Sequence, residues 1–518
     1  MTVIASRNPR LGEIAENVDS ATSKSEVAAL VEKAAAAATQ LAAMTPIARG
    51  NLLRKMADAL GAQREFLIEI ADRESAIGPE RLNGELTRTI GQLQLFADVL
   101  EDGHCFEVVI DHANAAKTPP QPDLRRMLTA VGPVAVFGAS NFPFAFSAAG
   151  GDTASALAAG CPVLLKVHGS HPRLDTEVAK ILQNVCVNED LPAETIGWVY
   201  GREAGTALVQ HPQVQAVGFT GSETAGRLMM DLAAARESPI PVYAEMGSLN
   251  PVVISPGIVT GETTDDVARG VAGSVTLAHG QLCTKPGLVF VPSGPAGDAF
   301  VSTLHDCMST QQPQYMLSVG TRDGYRDNVQ KVHQSSGVRS ILGAEDPEGP
   351  GSQGAVALAE VSAAQLREDS SMLIECFGPA TLIIRYTDED DFDSAFRTLP
   401  NSLTTTVHAQ ESEVSLLKKV QALGTAKSGR LVFNGFPTGV AVTWSQHHGG
   451  PYPASSTSMH TSVGATAIRR FQRPNTYQSW PDELLPEHLQ ENNPLGLPRR
   501  VNGVQLTAGQ PAIIPANG

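Results

Sequence analysis

Cys283 stands in Ala278-His279-Gly280-Gln281-Leu282-Cys283-Thr284-Lys285-Pro286-Gly287, between a glycine-containing turn and an apolar run. An ionised cysteine is a strong nucleophile, whereas a protonated, buried one behaves as a small hydrophobe. Glu245 is the acid in the otherwise uncharged stretch Tyr243-Ala244-Glu245-Met246-Gly247-Ser248-Leu249-Asn250-Pro251. Such a carboxylate either pairs with backbone amides or a base, or has a raised pKa and serves as a general base. Asn141, in Gly138-Ala139-Ser140-Asn141-Phe142-Pro143, is either a turn residue or an amide donor to an oxyanion. Phe219-Thr220-Gly221-Ser222-Glu223 falls at a strand-to-helix junction, where free amides bind phosphate. It is not GxGxxG, so spacing by itself names no dinucleotide. Cys105, Cys161, Cys186, Cys307 and Cys376 form no CxxC pair and no zinc-finger spacing, and are read as buried hydrophobes. His447 and His448 are adjacent on an extended stretch, where neighbouring side chains point to opposite faces, so no metal site is expected.

These groups need a frame. Ser23 to Met44 carries Val27, Leu30, Val31 and Ala34 at helical spacing. Thr45-Pro46 reads as an N-cap followed by proline at the first helical position. Helices are expected next around Leu52 to Leu60, Phe66 to Ala71 and Leu86 to Leu100, which makes the first hundred residues mostly helical. After the Pro-rich break at Lys117 to Pro122, short apolar runs at Val131–Phe137, Val163–Val167 and Val214–Phe219 alternate with helical segments. That alternation predicts βαβ units and a parallel sheet with ligands at the strand C-termini. From Val252 the pattern continues through Leu288–Val291, Thr381–Ile384 and Arg430–Phe433 as a second α/β unit. The tail from Arg473 reads as extended chain lying on another surface or subunit.

With 518 residues, the chain exceeds one ordinary core, and two or three domains are expected. Hydrophobic residues at 42% and charged residues at 18% describe a globular protein. The net charge of -16 argues against a nucleic-acid partner and requires any anionic ligand to be held by a local cluster of donors. Met1 to Asp19 lacks an apolar h-region, and no apolar stretch is long enough for a membrane span. Sparse, unpaired cysteines point to a reducing cytoplasm.

Taken together and in order, these segments resemble the aldehyde dehydrogenase superfamily from about residue 20 to about residue 475. The resemblance rests on the Asn141 turn, the Lys166 strand, Phe219-Thr220-Gly221-Ser222, the Glu245 segment, Gly280-Gln281-Leu282-Cys283 and Glu375-Cys376-Phe377-Gly378-Pro379. Within it the chain is most similar to a branch of NADP-dependent 2-oxoglutarate semialdehyde dehydrogenases. The segments that carry this are Val136 to Pro143, Ala244 to Ser248, His448-Gly449-Gly450-Pro451-Tyr452-Pro453 and Asn493 to Arg500. A branch of NADP-dependent fatty-aldehyde dehydrogenases shares much of the pattern. Ser140 stands where most of the superfamily has Trp, and Gly247-Ser248 where most has two glycines.

The resemblance implies an α/β fold with a Rossmann-type cofactor-binding domain (1–107 and 129–246), an α/β catalytic domain (247–445) and a small β oligomerisation element with the tail (108–128 and 446–518). It implies Cys283 as nucleophile, Asn141 with the Cys283 N–H as oxyanion donors, and Glu245 as the base that hydrolyses a thioester. Lys166 would meet the adenosine ribose or its phosphate, and Gly221 and Ser222 the pyrophosphate. Arg202 would meet a 2′-phosphate, and Glu375 the nicotinamide ribose, with Phe377 beside the ring. Gly169 is grouped with these cofactor contacts. The run Lys166-Val167-His168-Gly169-Ser170-His171-Pro172 has no acid to repel a 2′-phosphate, so NADP is expected over NAD. The implied partners are a small aldehyde and further copies of the chain, as a homodimer or homotetramer. A carboxylated substrate would need a cationic pocket, with Arg125, Arg126 and Arg469 as candidates. A cysteine hydrolase pairing Cys283 with His279 is the rival from another class; it leaves the Lys166 and Ser222 segments unexplained. A non-catalytic scaffold would leave Cys283, Glu245 and Asn141 without a role.

Overall fold

The computed structural model describes residues 2–343 and 351–509; the last nine residues of the expected tail, 510–518, lie outside them. The chain opens with an antiparallel hairpin, β1 (Val3–Asn8) and β2 (Glu13–Ser20), which departs from the mostly helical expectation. Most positions of β2 are exposed, so it carries no apolar alternation for a sequence reading to detect. Helix α1 (Lys24–Ala43) begins with a capping box: the Ser23 hydroxyl accepts the Glu26 N–H at 3.3 Å, and the Glu26 carboxylate accepts the Ser23 N–H at 2.8 Å. Helix α2 (Pro46–Ala62) starts on Thr45, as its Thr-Pro pair predicts. Helices α3 (Arg64–Ser75) and α4 (Pro79–Asp102) complete the N-terminal layer. No single helix among the described residues is long and apolar enough to cross a membrane; α1 and α2 pass that test only as a pair bent by 118°.

A first sheet is entirely parallel. Its strands are β5 (Val134–Phe137), β6 (Val163–Lys166), β7 (Ile196–Val199), β8 (Ala216–Thr220) and β9 (Val242–Glu245), in the order β7-β6-β5-β8-β9. The order reverses between β5 and β8, and a crevice opens beyond the strand C-termini at such a switch point. The crossovers include α5 (Gly151–Ala159), α6 (Pro172–Asn188), α7 (Arg202–Gln210) and α8 (Glu223–Ala234). These strands are continuous apolar runs because helices cover both faces.

The second sheet has seven strands: Arg339–Leu342, Ala357–Ser362, Ala380–Tyr386, β11 (Leu288–Pro292), β10 (Val252–Ile254), Ser402–His408 and Ser428–Phe433. The pairing of Arg339–Leu342 is antiparallel and the other pairings are parallel. A third sheet joins β3 (Val109–Asp111) and β4 (Leu124–Ala130) to Gln472–Gln478, Arg499–Val501 and Val504–Leu506. The tail is thus extended as expected, but it pairs with the body of its own chain.

Candidate active site

A cleft of about 900 Å³ lies at the switch point, walled by the turns that follow β5, β6 and β8, with Cys283 and Glu245 on its lining. Lys166, at the end of β6, and Arg202, the first residue of α7, both line it, and neither has an ion-pair partner among the described residues. Burial pulls the Lys166 amine below its usual value, against the opposing pull of Asp175, and the Arg202 charge adds to the lowering. Two cations with no ion-pair partner, in a cleft of a strongly acidic protein, suit a phosphate-bearing ligand. Ser222 caps α8 by accepting the Ala225 N–H, leaving that helix start facing the cleft. A Cβ on Gly247 would come within 2.6 Å of the Glu375 carboxylate, so glycine keeps this part of the floor open. Glu375 accepts the Ser248 N–H at 3.3 Å, and burial pushes its pKa up. Phe377 lines the same cleft, whereas Gly169 is not among its lining residues.

The nucleophile candidate owes its position to an unusual turn. After the helix Thr264–Thr276, the residues Ala278, His279 and Gly280 all take left-handed backbone angles, with φ of 52°, 53° and 65°. A Cβ at Gly280 would sit 2.2 Å from the Gly378 carbonyl, so this turn admits only glycine there. The Asn250 amide then donates to the carbonyls of Cys283, at 2.8 Å, and Lys285, at 3.0 Å, and fixes the loop. Asn141 donates to the Gln281 carbonyl at 2.9 Å, which brings its amide beside the Cys283 loop. Its own turn is held from α4: Arg81 donates to the Asn141 carbonyl at 2.8 Å, and Glu85 accepts the N–H groups of Phe144 and Ala145 at 2.7 and 3.0 Å.

The structure brings in two residues the sequence did not assign. His448 Nε2 lies 3.4 Å from Cys283 Sγ and 2.9 Å from Glu245 Oε1, the latter an ion-pair distance without a well-aligned hydrogen bond. Ser462 donates to Glu245 Oε2. Both come from the loop 448–462, which docks on β9 through Met246 N–H to the Ala454 carbonyl at 2.8 Å and Ser456 N–H to the Ala244 carbonyl at 2.9 Å. His448 belongs to the His-Gly-Gly-Pro segment that carries the resemblance, but nothing in the sequence shows that it folds back onto the thiol. The ligand atoms of Glu245, Cys283 and His448 lie within 4.8 Å of one another, so the three groups form one cluster.

The electrostatics correct one expectation. Burial would raise the Glu245 pKa, but His448 and the hydrogen bonds from Ser462 and Cys283 outweigh it and hold the carboxyl below its usual value. Glu245 is therefore an ionised base. Burial, reinforced by that neighbouring charge, drives the Cys283 thiol well above its usual value, so the resting sulfur is protonated.

Other expectations also change. His279 is spent on the Gly354 carbonyl at 3.0 Å and burial holds its pKa down at about 4, so the histidine beside the thiol is His448. The proposed carboxylate-binding arginines lie elsewhere. Arg125 pairs with Asp123, Asp482 and Glu491 in the third sheet, Arg126 lies on the exposed side of β4, and Arg469 pairs with Glu107 at 2.6 Å.

A dinucleotide-sized cleft at a parallel-sheet switch point, ending on a half-buried thiol beside an ionised carboxylate, is the arrangement of a nucleotide-dependent oxidoreductase that works through a cysteine. The chain belongs to the aldehyde dehydrogenase family, whose model matches residues 1–473. It is similar to α-ketoglutaric semialdehyde dehydrogenase 2 of Azospirillum brasilense, with 45% identity covering 88% of this chain and 87% of the relative. It is also similar to α-ketoglutaric semialdehyde dehydrogenase of Acinetobacter baylyi, with 40% identity over 88% and 87% of the two chains. Among solved structures, the fold matches glyceraldehyde-3-phosphate dehydrogenase from Methanocaldococcus jannaschii, complexed with NADP, at a TM-score of 0.77 and 19% identity, covering 92% of this chain and 99% of that one. It also matches 3,6-anhydro-L-galactose dehydrogenase at a TM-score of 0.78 and 18% identity, covering 92% and 96%. Family membership makes the protein an NAD(P)-dependent aldehyde oxidoreductase.

Proposed function

We propose that the protein oxidises 2-oxoglutarate semialdehyde to 2-oxoglutarate with NADP as its preferred cofactor. The observation that carries the substrate is the likeness, across 88% of the chain, to two relatives named for that aldehyde. NADP is supported by Lys166 and Arg202 converging without an acidic neighbour in the turn 167–172. On this reading Glu245 takes the Cys283 proton, and the sulfur attacks the aldehyde carbon as the carbonyl electron pair moves to oxygen. The new oxyanion accepts hydrogen bonds from the second amide hydrogen of Asn141 and the N–H of Cys283; one such donor is worth roughly 10²–10³ in rate. The nicotinamide dinucleotide, when bound, supplies the hydride acceptor. Glu245 first gives the thiol proton up to solvent; water then attacks the resulting thioester as the re-ionised Glu245 removes its proton, the C–S bond breaks, and sulfur leaves as thiolate. Lys166, Arg202, Gly221, Ser222, Glu375 and Phe377 would hold the cofactor, from adenosine phosphate to nicotinamide ring; Gly169, outside the cleft lining, would act through the turn after β6.

The first sheet would be the core of the cofactor-binding domain and the second that of the catalytic domain. The third would serve association into a dimer or tetramer. Six free cysteines, one of them the nucleophile, favour a reducing compartment such as the cytoplasm. The test is the initial rate of reduced-cofactor formation with NADP or NAD, crossed with 2-oxoglutarate semialdehyde or hexanal. A much higher kcat/KM for the semialdehyde with NADP is expected. Preference for hexanal would move the protein to fatty aldehydes and leave the thioester chemistry intact.

A further inference from the structure

Arg88 is a cation that the chemistry so far leaves idle. It lies on α4 two turns beyond Arg81, but where Arg81 is committed to the Asn141 carbonyl, Arg88 makes one long hydrogen bond, 3.5 Å from Nη2 to the Val440 carbonyl. Its Nη1 is buried and has no partner. No carboxylate among the described residues is within ion-pair distance. The nearest acid on its own helix face, Glu85, has Oε1 occupied by the N–H groups of Phe144 and Ala145. Burial pushes Glu85 towards its neutral form, which weakens it as a counter-ion. The Arg88 guanidinium lies 5.2 Å from the centre of the Phe146 ring, that ring is 6.2 Å from the His448 ring, and His448 Nε2 is 3.4 Å from Cys283 Sγ. Arg88 also acts electrostatically on Cys283 and Glu245. A buried guanidinium with an unused N–H costs free energy that a matching anion would recover.

We propose that Arg88 is the receptor for the distal carboxylate of the substrate, so that the enzyme selects aldehydes carrying an acid group about four carbons away. This deepens the substrate reading above and rests on it. Four C–C bonds extend roughly 5 Å, which carries a carboxylate from a carbon bonded to Cys283 towards the α4 side of the site. The planar guanidinium offers a bidentate match to a carboxylate, and the Phe146 face beneath it fixes its plane. An alkyl aldehyde would leave Arg88 desolvated and unpaired, which is a penalty against fatty substrates as well as a gain for acidic ones.

The experiment compares 5-oxopentanoate with pentanal, which have the same chain length with and without the charge, on the full-length enzyme with saturating NADP. Wild type is expected to prefer 5-oxopentanoate. R88M is expected to lower the ratio of the two kcat/KM values by about 30-fold or more, mostly through KM. R88K is expected to recover part of the ratio, and glutarate is expected to compete with 5-oxopentanoate in wild type and much more weakly in R88M. If R88M fails to fold, R88Q serves as the neutral variant. A wild-type preference that survives loss of the Arg88 charge overturns the assignment, as does an equal fall for both aldehydes. Absence of any wild-type preference is seen before a variant is made, and overturns the substrate reading itself.

Discussion

Replacing His448 with asparagine isolates the charge balance of the site. His448 and Glu245 are 1% and 3% exposed, 2.9 Å apart, so the substitution leaves a buried carboxylate with Ser462 and the Cys283 thiol as its remaining partners. Breaking a buried pair from one side costs about 3–5 kcal/mol when the remaining charge is forced to persist. The carboxyl can instead take up a proton, and about 1.4 kcal/mol per pKa unit converts that cost into an upward shift of roughly two to three and a half units. In wild type the Glu245 pKa lies below its ordinary value of 4.5, so the group stabilises the fold above that pH and loses its contribution on acidification. In H448N the folded value lies above the unfolded one, so stability is retained at low pH and lost as pH rises through the new value. The difference in Tm between wild type and H448N should therefore be small near pH 5 and widen towards pH 8. Thioester hydrolysis needs ionised Glu245, so the acid limb of kcat should move up by about two to three and a half pH units. Thermal melts and stopped-flow measurements of reduced cofactor across this range report both effects. A Tm gap that is constant or shrinks with rising pH, with the acid limb unmoved, would refute the view that His448 keeps Glu245 ionised.

The other substitutions separate chemistry from binding. C283A should abolish oxidation while NADP still binds by fluorescence titration; turnover near the wild-type rate would remove Cys283 from the chemistry. E245Q should keep a pre-steady-state burst of reduced cofactor while its steady-state rate falls by roughly 10²–10⁴; a burst followed by an unslowed steady state would exclude Glu245 as the hydrolytic base. R202A should raise KM for NADP by about 10- to 100-fold and leave KM for NAD nearly unchanged, the loss of a charged hydrogen bond; equal effects on both cofactors would point to a structural role. G280A should lower Tm and expression together, because a methyl group 2.2 Å from the Gly378 carbonyl cannot be accommodated in a left-handed turn; a stable, active G280A would show that the turn can relax.

The helical and strand framework is largely legible in the sequence because its signals are local. Ser23 with Glu26, and Thr45 with Pro46, announce helix starts through groups three residues apart or fewer. The strands β5, β6 and β8 are apolar runs because both their faces are covered. The hairpin β1–β2 is not legible: its exposed strands lack an apolar face, and its contact with the rest depends on distant groups such as Arg73, which pairs with Glu16 at 2.6 Å. The position of the thiol depends on three consecutive left-handed residues, and only Gly280 among Ala278, His279 and Gly280 advertises that conformation. Residues such as Arg125 failed as candidates because an arginine in sequence does not show its partners, and two aspartates and a glutamate already surround it.

The direction of the Glu245 shift shows why sequence could identify the acid but not its state. An isolated Glu in an apolar stretch is correctly expected to rise in pKa, and burial does push Glu245 that way. The outcome is reversed by His448, which lies about two hundred residues later and arrives through the docking of the 448–462 loop onto β9. That reversal has a second effect on the same site. Desolvation, reinforced by the ionised Glu245, holds the Cys283 thiol protonated, and a protonated sulfur is a poor target for adventitious electrophiles and oxidants. The carboxylate that suppresses the resting nucleophile is also the group positioned to take its proton. Deprotonation of the sulfur is therefore coupled to loss of the neighbouring charge, which removes the repulsion that had added to desolvation in keeping the thiol protonated.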